Sequence, residues 1–201
     1  MKKGIESVGF VRRCYILLSV TFVIFIMSHG TATSQESGWT GNVNVFLGAK
    51  ALDEDDWYPV EEQGEFGVQI DFRPRSWPVN LVIDLLGAYG EDDSLGVKVE
   101  SITSEFNIGV RKIWEQFAYT RPFIGGGLSF INGEFSVEAF DIKVTDDDQG
   151  AGLWLGGGVY WTIGHFNIGL ELKASAAEIT LFGIDVNAGG GHFGMLIGGH
   201  W

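Results

Sequence analysis

The chain ends in HFGMLIGGHW, residues 192–201. Phe193, Met195 and Ile197 fall at every second place before the terminal Trp201, while His192, Gly194, Leu196, Gly198 and His200 fill the alternate places. A period of two sends successive side chains to opposite faces of a strand, so one face is bulky and apolar and the other small or polar. Terminal residues usually have few partners to order them. An end patterned this regularly is a strand that pairs, and it poses the question of what its apolar face touches.

The same alternation recurs upstream, and no stretch beyond the N-terminal leader shows a convincing helical period. In 39–52, Trp39, Val43, Val45, Leu47 and Ala49 oppose Thr40, Asn42, Asn44 and Lys50. In 65–72, Phe66, Val68, Ile70 and Phe72 oppose Glu65, Gln69 and Asp71. In 79–89, Val79, Leu81, Ile83 and Leu85 oppose Asn80 and Asp84, and in 101–114, Ile102, Phe106, Ile108 and Val110 oppose Thr103, Glu105, Asn107 and Arg111. Segments 122–135, 152–161 and 166–176 continue the series, and the terminal strand closes it. The sequence therefore predicts an all-β protein of eight antiparallel strands.

The connections alternate in kind. RPRSWP (73–78), EQFAYT (115–120) and TIGH (162–165) are short, whereas DEDDWYPVEEQG (53–64), GEDDSLGVK (90–98) and VEAFDIKVTDDDQG (137–150) are long and acidic. The last connection lies near Gly183–Asp185. An even number of strands of about ten residues, with short turns at one end and long loops at the other, describes an up-and-down transmembrane β-barrel. Hydrocarbon cannot hydrogen-bond a backbone, so a sheet spans a membrane only by closing on itself. Trp39, Trp77, Trp114, Trp161 and Trp201 all fall at strand ends on the short-turn side, with Phe117 and Tyr119 nearby, which predicts an aromatic girdle at a membrane boundary. Trp57 and Trp154 stand apart from it. Arg73, Arg75, Arg111, Lys112 and Arg121 gather at the short-turn end, which would be periplasmic together with both termini, and the acidic loops would face outside the cell.

The N-terminus carries a separate message. MKKGIESVGFVRR is basic, CYILLSVTFVIFIM is apolar, and HGTATSQ is small and polar, the order of a secretory signal peptide. Residues 1–34 read as that leader, cleaved near 32–34, and 35–201 as the barrel domain. The single cysteine, Cys14, goes with the leader, so the mature chain has neither disulfides nor thiolate metal ligands. The full chain has 13 basic and 26 acidic residues; losing four basic residues and one acid leaves nine against 25, about −16. Such a charge argues against nucleic acid as a partner.

RPFIGGGLSF (121–130), GLWLGGGVYW (152–161), FNIGLELKAS (166–175) and the aromatic terminal strand resemble the OmpA-like family of small outer-membrane β-barrels. Gly156–Gly158, His165, Gly169 and Glu171 carry the family's pattern of a glycine-rich strand, a tight turn and a strand with inward glycine and glutamate. The resemblance covers about 38–201 and implies a bacterial outer-membrane location among lipids and lipopolysaccharide. It also implies that Phe193, Met195, Ile197 and Trp201 form the signal read by the barrel-assembly machinery after escort by periplasmic chaperones, although Gly199 replaces the usual bulky residue. The family's peptidoglycan-binding domain, and the cell-wall anchoring it provides, are not expected here. A monomer is expected.

An eight-stranded barrel is only wide enough for side chains to fill it. Lys50, Glu65, Asp71, Asp84, Glu105, Arg111, Glu171 and Lys173 should therefore pair into an interior polar network, with Gln69 and Asn107 among them, and plug the barrel; a small gated channel is the alternative. Gly189, Gly191 and Gly194 match G-x-G-x-x-G without the helix that phosphate binding needs. Asp146, Asp147 and Asp148, like Asp53–Asp56, are weak candidates for Ca²⁺ or Mg²⁺, without EF-hand spacing, and no cofactor is expected. His165, His192 and His200 have no serine within two positions, which speaks against a lipid-modifying enzyme of the Ser-His-acid type. Thr33 to Trp39 is also too short for the amphipathic helix of palmitoyl-transferring barrels. The expected role is structural or surface-interactive.

Overall fold

The computed structural model describes residues 38–201 except 95, 116–118 and 141. The strands are β1 (Trp39–Ala51), β2 (Glu62–Pro74), β3 (Asn80–Ser94), β4 (Val97–Ile113), β5 (Thr120–Ala139), β6 (Ile142–Ile163), β7 (Phe166–Ala176), β8 (Glu178–Leu181), β9 (Ile184–Asn187) and β10 (Gly190–His200), with a short helix α1 (Glu54–Trp57) after β1. Eight of them close a barrel in the order β1-β10-β7-β6-β5-β4-β3-β2, every neighbouring pair antiparallel. The terminal segment closes the ring. Val45 on β1 faces Ile197 on one side and Val68 on the other, and the Trp201 amide donates to the Gly41 carbonyl at 3.1 Å.

The alternation read from the sequence sorts side chains to the two surfaces of this ring. Leu128 is 53% exposed and Leu153 65%, and Leu85, Leu155, Leu172 and Phe193 are likewise exposed, all on the outside. In water each would forfeit about 25 cal/mol per Å² of apolar area left unburied, and a continuous belt of them signals a non-aqueous partner. Trp39, Trp77, Trp114, Trp161 and Trp201 are exposed below that belt at the short-turn end. Trp57 and Trp154 are instead buried.

Two expectations about loops are corrected. Residues 90–98 and 137–150, taken as loops for their acids, lie largely within strands: β3 pairs with β4 out to Ser94–Val97, and β5 with β6 out to Ala139–Ile142. Alternation persists there, with charge on one face and valine or isoleucine on the other, and the density of acids hid it. The β3–β6 sheet thus rises beyond the belt as a blade.

The last connection, near Gly183–Asp185, is also largely strand. β7 and β8 continue one another across Ala177, β9 and β10 across Ala188–Gly189, and the Ala188 amide donates to the Ala177 carbonyl at 2.9 Å. They form one long hairpin whose outer part bends over the barrel mouth. There Ile179, Leu181 and Val186 pack with Ala177, Ala188, Leu52, Ile131 and Trp57. An ideal Cβ on the inward-facing Gly133 would meet Ile179 and Trp57, so the cap reaches down inside β5. Trp57, 1% exposed, donates from Nε1 to the Asn187 carbonyl at 2.8 Å. Trp57→Ala removes the largest side chain of this small core, and the amides of Ile179 and Val186 are expected to lose roughly two to three orders of magnitude of hydrogen-exchange protection.

Candidate functional site

Among the described residues, two places concentrate chemistry: the barrel interior and the blade above it. The interior holds all eight charged residues of the expected network, each buried, because each occupies an inward position of its strand. They form two groups.

The group nearer the cap centres on Lys50, whose Nζ donates to Glu105 Oε1 at 2.7 Å, to Thr103 Oγ1 at 3.2 Å and to the Ala188 carbonyl at 2.9 Å. His192 Nδ1 lies 2.9 Å from Glu65 Oε1, and its Nε2 lies 3.0 Å from Ser175 Oγ. Ser175 was missed in the sequence because it is distant along the chain. The register supplies it: Lys173 sits opposite His192, so Ser175, two residues on, is the diagonal neighbour on the same face. Glu65, His192 and Ser175 stand in the order of a catalytic triad. Ser175 Oγ, however, also lies 3.1 Å from Glu105 Oε1, so its single proton has a carboxylate competing with the imidazole for it. Both Ser175 and His192 are buried among the ion-paired groups of the interior, away from the lipid-facing wall. The other two described histidines differ: His165 lies in the β6–β7 turn, and His200 donates from Nδ1 to Asn167 Oδ1 at 2.8 Å.

The second group centres on Arg111, wholly buried, which donates to Tyr160 OH at 2.8 Å, Glu171 Oε1 at 3.1 Å, Asp71 Oδ2 at 3.3 Å and Gln69 Oε1 at 3.3 Å. Its guanidinium also lies 4.7 Å from the Phe123 ring centroid, and that ring stacks on Tyr160. Gln69 donates to Glu171, Lys173 to Asp84, and both Asn42 and Asn80 to Asp71. Asn107 donates to Glu105 and so belongs to the first group. Asn44 Oδ1, Asp84 Oδ1, Asn107 Oδ1, Ser129 Oγ and Arg111 Nε find no protein partner, and buried water is what satisfies such atoms.

The metal candidates serve the cap. Asp148 Oδ2 accepts the Thr180 amide at 2.8 Å and Asp146 Oδ2 the Phe182 amide at 2.6 Å, while Asp56 Oδ2 accepts the Asn187 amide at 3.0 Å. The Thr180 amide, followed by that of Gln149, holds the Asp148 carboxyl below its ordinary value. Asp147 lies on the opposite face of β6. No group of three or more His, Cys, Asp or Glu side chains among the described residues could hold a metal ion.

On the charged face of the blade, Glu100 receives Lys143 at 2.8 Å and Lys98 at 3.0 Å. The hydrogen bond from Lys143, then that from Lys98, lowers the Glu100 carboxyl to about 2. A depressed carboxyl stabilises the folded form above its unfolded pKa, about 4.3, and that contribution vanishes as pH falls through about 2. Carboxyl NMR of Glu100 should show that low midpoint, and blade amides should lose exchange protection over the same window.

Fold and interior define a class: a closed eight-stranded barrel, lipophilic outside and polar inside. Solved structures of small outer-membrane barrels share its fold. The attachment invasion locus protein Ail of Yersinia pestis, solved with the heparin analogue sucrose octasulfate, superposes with a TM-score of 0.56 at 11% identity, covering 81% of this chain and 99% of that one. A second Ail structure gives 0.54 at 12% identity, covering 81% and 98%. Neisserial surface protein A gives 0.45 at 15% identity, over 82% and 96%. The likeness to the two Ail structures establishes the fold alone. No family model matches the chain, and no curated protein does.

Proposed function

We propose that this protein is a bacterial outer-membrane barrel, closed to ions, whose work is done by its surface outside the cell. The observation that carries the reading is the pairing of opposites across one wall: an aliphatic belt outside a fully closed ring, and two ion-paired groups inside it. In this reading the five tryptophans at the short-turn end are the boundary girdle, and the short turns, with both ends of the barrel, face the periplasm. Phe193, Met195, Ile197 and Trp201, outward on the strand that closes the ring, suit recognition by the assembly machinery before the barrel shuts. Lipids and lipopolysaccharide then surround the belt, and the barrel works as a monomer.

The interior supports a plug. Arg111, Lys173 and Lys50 are each engaged by carboxylates, and the apolar cap covers the mouth. Purified protein in planar bilayers should show negligible steady conductance, whereas reproducible open channels would favour the gated-barrel reading. The burial of Ser175 and His192 inside the plugged barrel supports a non-enzymatic role. The sulfated ligand of the Ail structure is not expected here, because Lys98 and Lys143 are the sole described cations on the long-loop surface and both are engaged by Glu100. Electrophoresis of outer-membrane fractions before and after boiling tests the reading. A compact barrel should shift in mobility on heating, and absence from that fraction, or an unchanged band, would overturn it.

A further inference from the structure

The blade has an unequal pair of faces. Outside the barrel line, Lys98, Glu138 and Lys143 form one cross-strand row and Glu100, Ser136 and Thr145 the next. On the opposite face, which continues the interior side of the barrel, the matching rows are Val97, Ala139 and Ile142, then Val99, Val137 and Val144. Ile142 is 67% exposed and Val144 52%. A sheet standing in water needs no aliphatic face unless something covers it.

The hairpin tip makes the point sharper. Phe140 is 95% exposed and has φ +51°, a left-handed conformation that bulky residues rarely take. A glycine or asparagine would fit that turn better and dissolve better. Phe182 at the tip of the β8–β9 hairpin repeats both features, exposed with φ +52°, and touches Phe135 at the foot of the blade. Strain held at an exposed aromatic is a sign of function.

The face points over the barrel mouth, so the membrane around the belt does not reach it. Its borders are acidic: Asp92 sits beside Val99 on β3, Asp146 and Asp148 follow Val144 along β6, and Asp185 lies on the neighbouring hairpin. We infer that the aliphatic face of the blade, with Phe140 at its tip, docks a cationic amphipathic polypeptide segment. Its apolar residues cover the valine and isoleucine rows, and its lysines or arginines meet the acidic borders. This rests on the surface-interactive reading above and names the chemistry of the partner.

The test uses the mature chain in phosphatidylcholine nanodiscs, with empty nanodiscs as baseline. The probes are a fluorescent lysine–leucine amphipathic peptide and polylysine of equal charge, read by anisotropy at physiological salt. The amphipathic peptide should bind about tenfold tighter than polylysine, and the variant Phe140→Ser/Ile142→Thr/Val144→Thr should lose about that factor while keeping its heat-dependent gel shift. Equal binding of the two probes, unchanged binding by the variant, or binding no greater than that of empty discs would overturn the proposal. So would a wild-type dimer in sedimentation that the variant lacks, since that assigns the face to a second copy. A wild-type chain without the gel shift would sink the barrel reading itself, a failure distinct from loss of peptide binding alone.

Discussion

Arg111→Met should lower the free energy of unfolding by about 3–5 kcal/mol, the cost of stripping one partner from a buried ionic group. Arg111 donates to Asp71, Glu171, Gln69 and Tyr160, and lies 4.0 Å from Asp84. Without it, three carboxylates share the interior with Lys173 as their nearest cation. Methionine keeps only the apolar stem, out to about the level of Nε, so the loss measured combines the charge, its hydrogen bonds and the guanidinium's contact over Phe123. Urea unfolding in detergent micelles gives the number. Adding Asp71→Asn and Glu171→Gln should recover a good part of it, because neutral groups leave no uncompensated charge. Equal stability of Arg111→Met and the wild type would mean that water, and not this network, fills the barrel.

The second large effect is steric. An ideal Cβ on Gly152 would lie 1.7 Å from the Ala176 carbonyl oxygen and 2.7 Å from its carbon. Both atoms are backbone and cannot turn aside. Gly152→Val therefore forces β6 and β7 apart where their ladder ends, at Leu153–Ala176. The variant should lose the folded electrophoretic band, or more than about 4 kcal/mol of stability if it still closes. Gly87→Ala is the control, since nothing lies within 4 Å of a Cβ there, and it should behave as wild type.

These two sites show what the sequence could and could not convey. Arg111 was legible: a charge at an inward position of an apolar-out strand has nowhere to go but the interior of a narrow barrel. The network's membership followed from parity alone, because a period of two fixes which face every residue takes. Its pairing did not follow, since that depends on registers between strands far apart in the chain. Ser175 beside His192 is the clearest case: only the diagonal across β7 and β10 brings them together. The blade was hidden for a different reason. Acids in 90–98 and 137–150 look like solvated loops, yet they occupy one face of strands whose other face is aliphatic. The cap was hidden because β8 and β9 are four residues each, too short to establish a period, and Ala177 and Ala188–Gly189 interrupt the lines they would otherwise extend. The expected leader, residues 1–34, lies outside the described residues.

Cysteine occurs once in the chain, at Cys14, so single labels are easily placed in the mature protein. Spin labels at Leu128→Cys and Leu153→Cys, in protein reconstituted into lipid vesicles, report directly on the liquid that bathes the outer wall. Collisions with oxygen, which concentrates in hydrocarbon, should far exceed those with a water-soluble nickel chelate, and a label at Trp201→Cys should be more evenly divided between the two. Nickel dominating at Leu128 and Leu153, in protein that stays folded without lipid or detergent, would contradict the account.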